Sequence, residues 1–405
     1  MKRLALALLC MPLGAGAVTV EPVYSLSLLG GQYFFGGERG HLSGNLSALA
    51  APGMKFNKEW EFFPSVSGSY QGTKQVLDLV GAGTVFQEQM DYRVGLKPVY
   101  SPGGGRWRVK PSYAFRTQLL RETKEEGWTK GLFDYRRHDL GLEGEFVYKD
   151  PFSVRAAFGY AMTDFPNYSS LESQANFDFN GQSLARELVG DKVLDSQAFL
   201  FSLAGNVPWR GAVFDLGYTL LASEFPNQHV VDMTGDLTSP LRSDMAHLLS
   251  AGVKAPVPLG DLPGKMVGSF GLGFILSSSN QNNYDALRTH FQEGYYDYTE
   301  LRLSPGAKYL VGNPDRPVTF GLGFDVWLRD YPRRQVQDSA GTYETQTLGQ
   351  TNWMVTASVS RPIAPRVRLM VDFSYGAASS NMGYESLYKY SYTATNYLFG
   401  VSYDL

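Results

Sequence analysis

The 405-residue chain carries 36 Lys and Arg against 39 Asp and Glu. That slightly acidic balance argues against bulk binding of nucleic acid. Its one cysteine excludes a disulfide framework. Beyond the N-terminus no stretch approaches the roughly 20 apolar residues of a transmembrane helix, although 43% of the chain is hydrophobic.

In chain order, Lys2 and Arg3 precede the apolar run Leu4 to Met11, which is followed by a proline, small residues and Ala15 and Ala17 in an A-x-A pattern. This reads as a secretory signal peptide, residues 1–17, cut after Ala17. Leu8 and Leu9 before Cys10 are too large for a lipoprotein cleavage site. The mature chain therefore has no cysteine and no thiol chemistry, and residues 18–405 form one domain with 34 basic residues against 39 acidic.

Period-2 alternation then runs through the whole mature chain, and it is the primary signal of strands. Tyr24, Leu26 and Leu28 alternate with Ser25 and Ser27, and Leu42, Leu46 and Ala48 with Ser43, Asn45 and Ser47. Phe62, Val66 and Tyr70 share a face, as do Tyr92, Val94, Leu96 and Tyr100. Trp107 to Leu119, Leu140 to Tyr148 and Phe152 to Tyr160 continue the pattern, with charged groups on the opposite face. Phe199–Leu203, Phe214–Leu220, Leu249–Val257, Phe270–Leu276, Leu301–Leu303, Phe320–Leu328, Trp353–Val359, Val367–Phe373 and Tyr397–Leu405 complete about 16 strands.

The connections alternate in length. Ser101–Gly105, Lys149–Pro151, Pro208–Gly211, Gly312–Arg316 and Pro362–Pro365 hold tight-turn residues. Between them lie long polar stretches at 72–83, 122–130, 166–192, 226–243, 279–293, 332–348 and 380–391. Backbone N–H and C=O groups find no partner in lipid, so a membrane protein built from strands must close into a barrel. Short turns at one end and long loops at the other are the pattern of such barrels. An even strand count returns the C-terminus to the short-turn side. Asp164-Phe165-Pro166-Asn167, Glu224-Phe225-Pro226-Asn227 and Asp330-Tyr331-Pro332-Arg333 recur where strands enter long loops. They place an aromatic in one headgroup belt and a proline that ends the ladder. Tyr100, Trp107, Tyr148, Phe152, Trp209 and Tyr309 supply the opposite belt.

In the last strand Tyr397, Phe399, Val401, Tyr403 and Leu405 alternate with Gly400, Ser402 and Asp404. This ending resembles the C-terminal signal of bacterial outer-membrane β-barrel proteins. The resemblance implies an all-β, transmembrane, antiparallel up-and-down β-barrel of about 16 strands, with 14 or 18 as alternatives. It also implies export through the periplasm, contact with outer-membrane lipid, and recognition of residues 397–405 by the barrel-assembly machinery. The oligomeric state stays open.

No catalytic or metal-binding constellation emerges, and no cofactor is called for. The five histidines have no close metal spacing. His138 and Asp139 are strand neighbours and point to opposite faces, and His247 and Ser250 diverge likewise. The face opposite the apolar one is more informative. It carries Arg93, Lys97, Arg106, Arg108, Lys110, Arg116, Arg137 and Arg155, with Glu143, Glu145 and Asp139. Later strands add Asp215, Glu300, Arg302, Asp325, Arg329, Arg368 and Asp372. A Lys or Arg facing lipid costs about 2–4 kcal/mol at midplane, so these groups must line the interior. Sixteen strands enclose more space than side chains fill. The expectation is a porin-like channel for small polar or anionic solutes, with the Arg93–Arg116 wall favouring anions. The alternatives are a non-conducting barrel packed with ion pairs, serving attachment or an export or motility assembly, and an outer-membrane hydrolase. Within loop 166–192, Ser183–Val189 suggests a short helix, and Asp178, Glu187 and Asp191 are candidate selectivity residues.

Overall fold

The computed structural model describes residues 18–149, 152–169 and 185–405. The expected signal peptide and the centre of loop 166–192 lie outside the described residues. Sixteen strands form the wall. They are β1 (Tyr24–Phe35), β2 (His41–Ala50), β3 (Trp60–Gln71), β4 (Glu88–Tyr100), β5 (Trp107–Arg121), β6 (Tyr135–Lys149), β7 (Phe152–Asp164) and β8 (Ser196–Trp209). The second half comprises β9 (Ala212–Val231), β10 (Leu237–Val257), β11 (Lys265–Ser279), β12 (Tyr298–Val311), β13 (Val318–Gln337), β14 (Tyr343–Ala364), β15 (Val367–Ser380) and β16 (Tyr392–Asp404). Every neighbour is antiparallel, and β16 pairs with β1 from Ser25↔Asp404 to Phe35↔Ala394, so the sheet closes on itself. Closure leaves no edge, which is what lipid requires of a sheet. Thr19–Glu21 and Gly53–Lys55 pair with each other below β1 and β2.

Because facing residues of antiparallel neighbours share a side of the sheet, the register sorts the whole wall. The outer row includes Leu28, Val66, Phe158, Leu216, Leu249, Leu322, Val371 and Phe399, all large, apolar and exposed. Trp107, Tyr148 and Trp209 stand exposed towards the short-turn end, as the sequence suggested. In the turn between β8 and β9, Arg210 and Gly211 both take positive φ (49° and 84°). That is the backbone of a two-residue hairpin turn matched to strand twist.

Two of the expected loops are strands instead. Residues 226–243 and 332–348 fold mostly as the outer halves of β9–β10 and β13–β14, which run 20 to 22 residues and project beyond their neighbours. The Phe-Pro and Tyr-Pro motifs interrupt the ladder without ending it. The register breaks between Phe225 and His229 and between Asp330 and Gln335, then resumes. Only at Phe165 does the strand stop. A bulge also re-aims side chains. Phe165 and Tyr331 are buried in the cluster between the loops, and Phe225 lies under the guanidinium of Arg242. The headgroup-belt reading of these three aromatics is thus overturned.

Candidate functional site

The inner wall of β4–β7 is closed by ion pairs. Lys110 Nζ sits 2.6 Å from Glu143 and 2.8 Å from Glu145. Lys97 approaches Glu143 at 3.6 Å and Arg108 approaches Glu145 at 3.4 Å. Further up the wall Arg116 meets Asp91 at 2.5 Å and Arg137 meets Asp139 at 2.7 Å. Arg155 donates to Asn206 Oδ1 at 3.0 Å. Arg93 lies in the row of Ser67 and Arg116. On β13, Asp325 faces the interior opposite Met354. Arg329 donates to Glu300 (2.6 Å) and to Asp78 (2.8 Å), and Arg302 also pairs with Glu300. Arg106 departs from the expected wall. It lies in the turn before β5 with its guanidinium over the exposed ring of Tyr148, because the strand begins only at Trp107. Lys97, Arg108 and Lys110 thus share two carboxylates, and Arg93 makes no ion pair among the described residues, so the basic stripe is compensated in large part but keeps an excess of positive charge.

The histidines follow the parity argument. His138 turns outward to the Tyr113 hydroxyl (3.0 Å) while Asp139 turns inward to Arg137. His247 meets the Tyr218 hydroxyl at 3.0 Å, on the opposite face from Ser250.

On the other side of the lumen lies a cavity of about 750 Å³. It is bounded by β13–β16, β1–β3 and a hairpin of the β3–β4 loop, Gln75–Asp78 with Gly83–Phe86. Neutral polar groups on its wall include Asn45, Gln71, Gln350, Asn352 and Asn396.

The β3–β4 hairpin reaches across to the far wall. Asp78 bridges to Arg329, the Gly81 carbonyl accepts from Arg334 Nη1 (2.5 Å), and the Gly83 carbonyl accepts from the Lys389 N–H (2.9 Å). This is the inward-folded segment, and its contacts span some 250 positions in sequence, so nothing local announced it. Around it, the loops form a shared apolar roof. Val80 and Phe86 from this hairpin pack in one cluster with Phe133, Tyr168, Leu188, Tyr331, Met382 and Tyr390, contributed from around the rim.

Two buried charged groups pin the roof. Arg334 is 1% exposed, stacks on Tyr295 at 4.1 Å and donates to the Tyr390 hydroxyl. Glu187 is equally buried and accepts from the Tyr296 hydroxyl (2.7 Å) and the Asn283 amide (2.8 Å). Burial raises its pKa above the ordinary carboxylate value, against those donors. Burial likewise raises Asp134 and Asp195 in the neighbouring loops. Glu187 was expected as a selectivity residue on a short helix. The helix is a single 3₁₀ turn, Arg186–Leu188, and the carboxylate faces the Tyr284 loop rather than the lumen. Asp191 forms an isolated bridge with Ser169, and Asp178 lies outside the described residues.

A closed sheet with a continuous apolar girdle and a polar, charged interior is built for lipid outside and water inside. The chain is a closed sixteen-strand β-barrel of the outer-membrane type. No family model and no curated protein matches it. Among solved structures, the barrel is similar to OmpT of Vibrio cholerae in its trimer form, at 10% identity over 96% of this chain and 100% of that one, with a TM-score of 0.46. It is similar to Pseudomonas putida OprB at high pH, at 10% identity over 95% and 94% of the chains (TM-score 0.47). Acinetobacter baumannii OccAB4 gives 8% identity over 95% and 98% (TM-score 0.42). At these identities the likeness is one of architecture.

Proposed function

We propose that the barrel is a conduit for small polar solutes across the outer membrane. The observation that supports this most is the 750 Å³ cavity inside the wall, bordered by polar side chains and lying across the lumen from the β4–β7 ion pairs. Water and polar solutes gain hydrogen-bond partners there that lipid denies them. The loop roof and the β3–β4 hairpin then act as the constriction that limits passage. Most of the stripe on β4–β7 is paired with carboxylates in place, which weakens its pull on anions, and the solutes are small and polar. Export, docking of residues 397–405 to the assembly machinery, and the absence of a catalytic role belong to the same reading.

A second reading is favoured by the ion-pair ladder and the shared roof: a barrel that does not conduct and serves attachment or a larger assembly. Single-channel recording of the refolded protein in a planar bilayer separates the two. Steady openings under an applied potential are expected. Correctly inserted barrels, verified by protection of the wall from protease, that stay electrically silent would overturn the conduit reading.

A further inference from the structure

The inner wall is used unevenly. On β4–β7 most charges are spent on their neighbours, whereas several neutral polar groups that border the cavity are not. The side-chain amides of Gln350 and Asn352 and the indole N–H of Trp327 make no hydrogen bond among the described residues, though all three border the cavity. Asn45 Oδ1, on the β2 side of the same cavity, is a buried acceptor without a donor. Trp327 stands directly opposite Asn352 in the β13–β14 register, so a flat aromatic face and an amide are presented side by side. A second aromatic wall comes from Tyr392, stacked on Phe35 with centroids 5.4 Å apart.

The charges around the cavity largely cancel. Arg329 is held by Glu300 and Asp78, and Lys74 is held by Glu38. Lys389 and Asp372 remain, one of each sign. The cavity as a whole therefore carries no excess charge that would favour an anion over a cation or either over a neutral solute. An amide, by contrast, offers donor and acceptor together, which matches adjacent hydroxyls on a sugar ring. The less polar C–H face of such a ring packs on an aromatic plane. A volume of about 750 Å³ falls in the roughly 300–1,000 Å³ range of small-molecule sites.

We propose that this cavity is a binding site for a neutral, hydroxyl-rich solute of one or two sugar rings, and that this is the solute class the conduit favours. The second half of that statement rests on the conduit reading; the binding site itself does not. Several neutral hydrogen bonds and one stacked face hold a solute without trapping it, as passage requires.

The test uses maltose as the neutral probe, with glucuronate and glycylglycine as anionic and zwitterionic probes. Single refolded barrels are recorded in a planar bilayer, and the same protein in detergent is titrated by tryptophan fluorescence. Maltose is expected to block the current saturably. Its half-blocking concentration should rise at least fivefold in Trp327→Ala and in Asn352→Ala, with Gln350→Ala as a second variant should either fail to fold. The charged probes are expected to give no saturable block. Conducting barrels that ignore maltose, or that glucuronate or glycylglycine blocks equally well, overturn the sugar site and leave the conduit standing. Silent barrels that bind maltose in detergent, with the same dependence on Trp327, keep the site and overturn the conduit. Silence together with no binding overturns both.

Discussion

Arg334 has lost nearly all contact with water, and a lone buried cation is costly unless something replaces its hydration. Here the Gly81 carbonyl, the Tyr390 hydroxyl and the faces of Tyr295 and Tyr331 take that part. Two hydrogen bonds from a charged donor, at about 1.5–3 kcal/mol each, outweigh a cation–π term of about 0.5–2 kcal/mol. Arg334→Met keeps the stem and removes both bonds. It should lower the free energy for opening the roof by about 3–6 kcal/mol while leaving the wall folded. Hydrogen exchange of the 75–86 amides should rise, and that of β4–β7 should not. Glu187 gives the roof a pH dependence whose sign follows from burial. Its folded pKa is raised above the ordinary 4.5, so below that value both closed and open states hold the proton. As pH rises from 4.5 through the raised value the open state releases its proton first, and stability of the closed roof falls. Acid conditions should therefore lengthen closed dwell times. Glu187→Gln should flatten that dependence without abolishing it, since burial also raises Glu122, Asp134 and Asp195.

At the scale of elements, the β3–β4 hairpin is tied to the far wall by a bridge that is only partly shielded: Asp78 is 37% exposed and Arg329 17%. Such a pair contributes about 1 kcal/mol or less, and the backbone bonds at Gly81 and Gly83 remain when it is lost. Asp78→Asn should accordingly raise the frequency of gating transitions severalfold in single-channel traces without abolishing closure. The strands themselves were legible in sequence because lipid on one side and water on the other impose a strict alternation. All sixteen segments read from that alternation correspond to wall strands. The hairpin was not legible, since a pair such as Asp78 and Arg329 leaves no periodic trace. Phe165 and Tyr331 were misplaced for a related reason. Parity fails at a bulge, and an aromatic beside a proline looks the same whether it faces headgroups or a roof. The inward facing of the basic residues was legible, but their compensation was only half so. Glu143 and Glu145 were placed on the same face as Lys110, yet only the register brings them within reach of one another.

The whole molecule depends on one event that no local preference drives: the meeting of the first and last strands. At this seam the backbones approach so closely that side chains are absent by necessity. A Cβ on Gly400 would stand 1.8 Å from the Leu28 carbonyl oxygen, and one on Gly31 would stand 1.9 Å from that of Tyr397. Neither obstacle is a flexible side-chain end, so relief must come from moving backbone. Displacement of β1 from β16 would open unpaired N–H and C=O groups to lipid, where each costs several kcal/mol. Overpacking of this kind costs about 1–3 kcal/mol even where the backbone can yield. Gly400→Val should thus lower the urea concentration at which the folded, fast-migrating band disappears from unheated gels. Gly205→Ala is the matched control. Its Cβ meets nothing nearer than the Ser153 carbonyl at 3.7 Å, and it faces outward on β8. That variant should migrate and resist urea as the parent does. Equal loss in both variants would mean that glycine is required throughout the wall, and that the seam is no weaker than any other pair of strands.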